Sequence, residues 1–231
     1  MEMRGKLAIG IIFFCIAALV TGVLFLKGSA GNDNTSNLEE LQAVEIKEYE
    51  GADLSSITDF RENSIKGPQL IDIDSYVLKV TGLVTIPMEY TYSNVIDEHP
   101  NYEKAVTLNC VEGWSVTILW EGVLVRDLID EAGPSPDAKI VIFHAYDGYT
   151  TSLPIDYILD HDIIMAHKMN GVVLPPERGA PFQLIAESKW GYKWIKWITE
   201  IELSDDTDFR GYWEKRGYSN TGDLDKGFFT D

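Results

Sequence analysis

The stretch Val106–Gly122, VTLNCVEGWSVTILWEG, constrains the fold more than any other part of this chain. Two runs rich in apolar and β-branched residues, Val106–Cys110 and Ser115–Trp120, flank a short polar segment. That pattern predicts two strands around a turn. Cys110 stands where the first strand ends. It is the only cysteine outside an N-terminal apolar stretch, so it has no disulfide partner in the soluble part. A lone thiol beside Glu112, Trp114 and Ser115 has two readings, inert core packing or a ligand or nucleophile. Its spacing alone leaves both open.

The 231 residues allow one domain of ordinary size plus a targeting segment. A hydrophobic content of 45% with six Trp can fill a core. The formal charge of −18 argues against nucleic acid or an anionic membrane surface as the main partner. The chain has no CxxC, CxxCH, HExxH or GxxxxGKS/T pattern, which removes the usual zinc, c-haem, zincin and P-loop readings.

Leu7–Leu26 is a run of 20 residues without a charge, long enough to cross a bilayer as a helix. Arg4 and Lys6 precede it, so the N-terminus is expected in the cytoplasm and the remainder on the extracytoplasmic side. An uncleaved anchor over residues 1–27 is favoured over a cleaved signal, although Gly28-Ser29-Ala30 could serve as a cleavage site. Cys15 sits inside this run and reads as a membrane-packed residue. Residues 28–57 are polar and acidic and read as a tether. A domain over 58–218 and a tail over 219–231 complete the expected organisation.

Within the domain, alternation over Ile71–Val84 predicts a strand. Tyr90–Glu98 reads as a short helix or turn. Apolar residues at Val125, Leu128, Ile129 and Ala132 predict a helix over Val123–Ala132, stopped by Gly133-Pro134. Lys139–Ala145 reads as a buried strand, Asp147-Gly148 as a turn, Tyr149–Leu153 as extended and Pro154–Leu159 as a helix. Ile163–Met169 leads into Asn170-Gly171, a hairpin signal. Phe182–Ala186 reads as a short strand, and Gly191–Leu203 as a longer one that alternates in its second half. Short strands with few helices indicate an α+β, mainly β domain.

Several stretches then match one family in order. CVEGWS is followed by LWEGVLVRDLI, DGYTTSLP, MAHKMNGVVLPPERGAPFQLI, GYKWIKWITEIEL and GYWEKRGY. Over about residues 58 to 218 the chain resembles the sulfite-oxidase-type molybdopterin domain. The resemblance implies a mixed α+β fold and one pyranopterin on molybdenum, in the form without a nucleotide. It implies that Cys110 supplies the thiolate completing the metal's sulfur ligation. A soft thiolate suits a metal already held by two dithiolene sulfurs. Arg61 and Asn63 fall where the family places a pterin-binding loop. Lys193 and Lys196 match basic positions that contact the pterin phosphate, although on one alternating strand they would face opposite ways. Tyr149, in YTTSLP, matches a tyrosine that faces substrate; a turn aromatic packed on the core is the other reading. His144 reads as a hydrogen-bonded strand histidine and Arg178 as a surface charge in a Pro-rich loop.

The residues after the cysteine narrow the reaction. Sulfite oxidases carry a Gly-Asn-Arg-Arg type run there, whereas this chain has Val-Glu-Gly-Trp-Ser, and Glu112 would repel sulfite. The CVExWS pattern is similar to the catalytic subunits that reduce protein methionine sulfoxide in the periplasm. Glu112 is the candidate proton donor as oxygen leaves as water. Gln183 stands where the family often has Arg, which weakens the sulfite reading further. The expected activity is reduction of an S- or N-oxide, small or protein-bound, by a membrane-anchored extracytoplasmic enzyme. No haem-binding domain is visible, so a separate electron partner is implied, such as a membrane cytochrome or quinone-linked protein. Sulfite oxidation is the alternative within the class, and a cofactor-free binding module of the same fold is the alternative outside it.

Overall fold

The computed structural model describes residues 38–229, and the expected membrane-spanning run at Leu7–Leu26 lies outside them. In chain order the elements begin with α1 (Leu38–Val44), β1 (Glu48–Tyr49), β2 (Ala52–Asp53), β3 (Val77–Gly82), β4 (Met88–Thr91) and α2 (Tyr92–Glu98). They continue with β5 (Tyr102–Asn109), β6 (Ser115–Leu124), α3 (Val125–Ala132), β7 (Ile140–Ala145), β8 (Thr150–Pro154) and α4 (Ile155–Asp160). The last are β9 (Ile164–Met169), β10 (Val172–Val173), β11 (Gln183–Ile185) and β12 (Ile198–Ser204). This is the mixed α+β, mainly β architecture that the sequence predicts.

Two five-stranded sheets carry the domain. One runs β10-β9-β6-β5 with β11 also on β9, and the other runs β4-β3-β12-β7-β8. All of these pairings are antiparallel except β3 with β12. The β5–β6 hairpin pairs continuously from Tyr102↔Gly122 to Asn109↔Ser115, so the turn between them holds Cys110 in a fixed register. On β6 the register against β9 shifts between Glu121 and Gly122. Gly122 is required there, because a Cβ would stand 2.2 Å from the Met165 carbonyl oxygen. Asn170 (φ 45°) and Gly171 (φ 75°) close the β9–β10 hairpin, both in the left-handed region that a two-residue turn demands. Trp120, Phe143, Phe182, Leu124, Leu128 and Ile129 are fully buried in the core.

Four expectations change. The strand expected over Ile71–Val84 begins only at Val77, because Asp72 caps a short 3₁₀ turn at Ile73–Ser75 by accepting from the Asp74 amide. The helix expected from Val123 starts at Val125, since Val123 and Leu124 still pair with β9. Gly191–Leu203 is not one strand. Gly191–Lys193 forms a 3₁₀ turn, Trp197 has φ 56°, and β12 starts at Ile198. Within the acidic stretch expected as a tether, Glu45 and Ile57 are buried, while most of residues 46–53 are exposed. Glu45 is buried, and its carboxylate accepts from the Ile57 amide at 2.8 Å, Ser56 Oγ at 2.7 Å and Asn170 Nδ2 at 3.2 Å. Those donors remove the cost of burying the charge.

Candidate active site

The turn after β5 places Cys110 on the wall of a pocket of about 310 Å³. Its amide donates to the Trp114 carbonyl at 2.9 Å, and the Gly113 amide donates back to the Cys110 carbonyl at 3.0 Å. Gly113 (φ 87°) allows this tight return. The Cys110 sulfur is half-buried and accepts a hydrogen bond from Asn63 Nδ2 at 3.7 Å. Burial pushes the Cys110 thiol up from its ordinary value, and the Glu112 charge adds to that. The Glu112 amide, the Asn63 amide and Arg61 act the other way. A bound metal cation would supply the positive charge that the thiolate lacks here.

Glu112 stands at the mouth, where Oε2 accepts from Trp114 Nε1 at 3.2 Å and lies 4.0 Å from Arg61 Nη1. Arg61 and Asn63 lie in the loop that forms one wall. Lys196 lines the pocket as well; its ammonium donates to Glu62 Oε1 at 2.8 Å and to the Glu177 carbonyl at 3.2 Å.

Two expected site residues are engaged elsewhere. The Lys193 side chain is fully buried, with Nζ 2.6 Å from Glu214 Oε1 and 2.9 Å from the Ser152 carbonyl, and it does not line the pocket. It lies at the end of the 3₁₀ turn Gly191–Lys193, in a buried ion pair. Tyr149 lines the pocket, but its hydroxyl donates to the Tyr192 carbonyl at 2.5 Å. Burial holds the Tyr149 phenol well above its ordinary value, so it stays protonated in that bond. The ring packs against Tyr212 at 5.6 Å between centroids.

The expected surface charge of Arg178 is also corrected. The residue is 5% exposed and lines the pocket. Its Nε donates to the Ile57 carbonyl at 3.1 Å and Nη2 to the Phe60 carbonyl at 3.4 Å, and its guanidinium lies 4.6 Å from the Phe60 ring centroid. Arg178 thereby ties residues 57–60 to the pocket wall. His144 is the hydrogen-bonded strand histidine that the sequence predicts, with Nε2 2.8 Å from Glu202 Oε2.

Sequence reasoning missed three polar groups of this pocket. Ser64 Oγ, Asp147 Oδ2 and Glu177 Oε2 are buried, line it, and have no hydrogen-bond partner among the described residues. Buried acceptors of this kind need a donor. A pterin ring edge is rich in N–H groups, and its phosphate needs cations such as Lys196, so these side chains fit that group. The signal in the sequence is the Asp147-Gly148 turn, where Asp147 Oδ1 accepts from the Tyr149 amide at 2.9 Å and leaves Oδ2 over. Among the described residues no cluster of three or more His, Cys, Asp or Glu could hold a metal ion.

Comparison with known proteins identifies the family. Residues 65–213 match the family described as oxidoreductase molybdopterin binding domain. An uncharacterized oxidoreductase, YuiH of Bacillus subtilis (strain 168), is 35% identical over 157 residues, covering 68% of this chain and 78% of that protein. The protein-methionine-sulfoxide reductase catalytic subunit MsrP of Gluconobacter oxydans (strain 621H) is 30% identical over 147 residues. That match covers 56% of this chain and 47% of MsrP, so the chain spans under half the length of that relative. The crystal structure of the sulfane dehydrogenase SoxCD from Paracoccus pantotrophus shares the fold, with a TM-score of 0.61 at 22% identity. It is matched over 69% of this chain and 44% of that one. The chain belongs to the oxidoreductase molybdopterin binding domain family and is a molybdopterin-dependent oxidoreductase of the sulfite-oxidase type.

Proposed function

We propose that this oxidoreductase reduces a neutral S- or N-oxide by oxygen-atom transfer, with Cys110 as the protein's ligand to molybdenum. The observation that carries the neutral substrate is the state of the pocket's cations. Arg61 faces Glu112, Lys196 is taken up by the pterin phosphate in this reading, and Arg178 is spent on two backbone carbonyls. Gln183, buried at 4% exposure on the same wall, adds no charge. An oxyanion such as sulfite would meet Glu112 at the mouth without an unpaired cation to offset it.

When bound, the molybdenum-pterin group supplies the oxygen-atom transfer and carries the two electrons. The chain binds and orients it. Ser64, Asp147 and Glu177 would accept from the pterin N–H edge, and Lys196 would hold its phosphate. Asn63 donates to the Cys110 sulfur and fixes its direction. Glu112 stands at the mouth beside Trp114 and Arg61, where its carboxylate would relay a proton from solvent to oxygen leaving as water. The bound pterin is read as a single one without a nucleotide. A separate electron partner, such as a membrane cytochrome, supplies the electrons. The run Leu7–Leu26 is read as an anchor that keeps the domain outside the cytoplasmic membrane. Similarity to the Gluconobacter protein-methionine-sulfoxide reductase catalytic subunit supports the sulfoxide reading.

The test uses the full chain made with molybdenum cofactor available. Dye-linked reduction of methionine sulfoxide and trimethylamine N-oxide is compared with sulfite-dependent dye reduction. Oxide turnover should exceed sulfite turnover, and Glu112→Gln should slow it by about 10²-fold, the lower end for a lost general acid. Faster turnover of sulfite than of either oxide would overturn the reading.

A further inference from the structure

Arg61, Glu62 and Asn63 are consecutive, and each contacts a different group at the pocket. Arg61 reaches Glu112, Asn63 reaches the Cys110 sulfur, and Glu62 reaches the partly buried Lys196. The Glu62–Lys196 pair is asymmetric. The Lys196 side chain is fixed without Glu62: its ammonium also donates to the Glu177 carbonyl and lies 4.4 Å from the Trp197 ring centroid. Its stem packs on Gly179, where a Cβ would stand 2.9 Å from Lys196 Cβ. Glu62 instead belongs to a loop with no helix or strand between β2 and the 3₁₀ turn at Ile73. Its side chain is twice as exposed as that of Lys196, at 30% against 14%. The cation has three further contacts, whereas the anion is more exposed and lies in a loop outside any helix or strand.

We propose that Glu62 is a displaceable counter-ion, occupying the anion subsite of Lys196 and giving way to the phosphate of the pterin. The proposal rests on the assignment of Lys196 to that phosphate. A carboxylate at 2.8 Å cancels the charge a phosphate needs. An incoming dianion must therefore displace Glu62 or be repelled by it. While Glu62 is in place, Lys196 has a partner and its burial is compensated. Once it swings out, the Glu177 carbonyl and Trp197 keep the ammonium aimed into the pocket. Glu62 thus keeps the subsite folded and sets how strongly an anion must bind to enter it.

The test uses the full chain produced in a host that cannot make the pterin, with inorganic phosphate as the probe and its dissociation constant read by calorimetry at low salt. Glu62→Gln keeps the shape and an acceptor for Lys196 and removes only the charge. It should tighten phosphate binding about fivefold, the factor that a partly exposed ion pair is worth. Lys196→Met should weaken binding by at least about tenfold, as expected for loss of a charged hydrogen bond. Equal or weaker binding in Glu62→Gln, with Lys196→Met still weakened, would overturn the proposal and keep the Lys196 assignment. Phosphate binding unchanged in Lys196→Met would overturn that assignment and the proposal with it. Phosphate binding absent from both the wild type and Glu62→Gln would also overturn the proposal.

Discussion

Lys193→Met separates a structural from a cofactor-binding role for a lysine that the family pattern places on the pterin phosphate. In the structure Lys193 and Glu214 are both fully inaccessible through their side chains, with 2.6 Å between charged atoms. Met matches the length of the lysine stem, so little cavity forms. The loss is the ammonium. Glu214 Oε1 would keep Thr151 Oγ1 at 2.7 Å as a donor, while Oε2 has no partner among the described residues. Removing one member of a buried pair costs about 3–5 kcal/mol. The Ser152 carbonyl also loses its donor, at a cost of about 1 kcal/mol. A loss of about 4–6 kcal/mol should lower Tm by roughly 10–20 °C in a domain of this size. The assay is urea and thermal unfolding followed by circular dichroism, paired with pterin content. A double variant, Lys193→Met with Glu214→Leu, removes both charges and should recover most of the loss. Unfolding within about 0.5 kcal/mol of wild type, with pterin lost from Lys193→Met, would refute the structural assignment.

Three further outcomes are expected from the same contacts. Burial holds the His167 imidazole below its ordinary value; Lys168 adds to that and Glu121 opposes it. The ring keeps Nε2 2.7 Å from Asn101 Oδ1 and leaves Nδ1 buried without a partner among the described residues. With its folded value depressed, His167 stays neutral in the folded state while the unfolded chain takes up a proton below about pH 6.5, so stability falls as pH drops through that window. His167→Gln should flatten the slope of unfolding free energy between about pH 5 and 6.5, and an unchanged slope would rule out that contribution. Gly122→Ala places a Cβ 2.2 Å from the Met165 carbonyl and should cost about 3 kcal/mol in urea unfolding; a cost below about 0.5 kcal/mol would show that the β6–β9 register is not that tight. Arg178→Met frees the Ile57 and Phe60 carbonyls, so it should lose about 2–3 kcal/mol of stability together with pterin content. Full retention of both would leave Arg178 without a bracing role.

The parts legible in the sequence are those governed by local pattern. Val106, Leu108, Val116 and Ile118 alternate along two short runs, and the β5–β6 pairing results. Asn170-Gly171 dictates its own turn, and α3 stops at Gly133 as its left-handed φ of 69° allows. The misreadings share a cause, which is compensation by residues far away in the chain. Lys193 is buried only because Glu214 meets it. Arg178 looks like a surface charge in a Pro-rich loop until the carbonyls of Ile57 and Phe60 surround it. Glu45 reads as part of a solvated tether because its donors include Asn170. In GYKWIKWITEIEL, consecutive burial of Tyr192, Lys193, Trp194 and Ile195 breaks the period of two, which marks a packed turn rather than a strand. Asp147 reads as a turn residue, which it is through Oδ1. Its second oxygen gains a role only from the pocket that surrounds it.

The most direct measurement is molybdenum-edge X-ray absorption on the full chain and on Cys110→Ser, both made with the cofactor available. The wild-type chain should hold about one molybdenum with three sulfur neighbours, two from the pterin and one from Cys110. Cys110→Ser should show one sulfur fewer, or no metal. Equal metal content with the same number of sulfur neighbours in both proteins would contradict the claim that Cys110 holds the metal in this pocket.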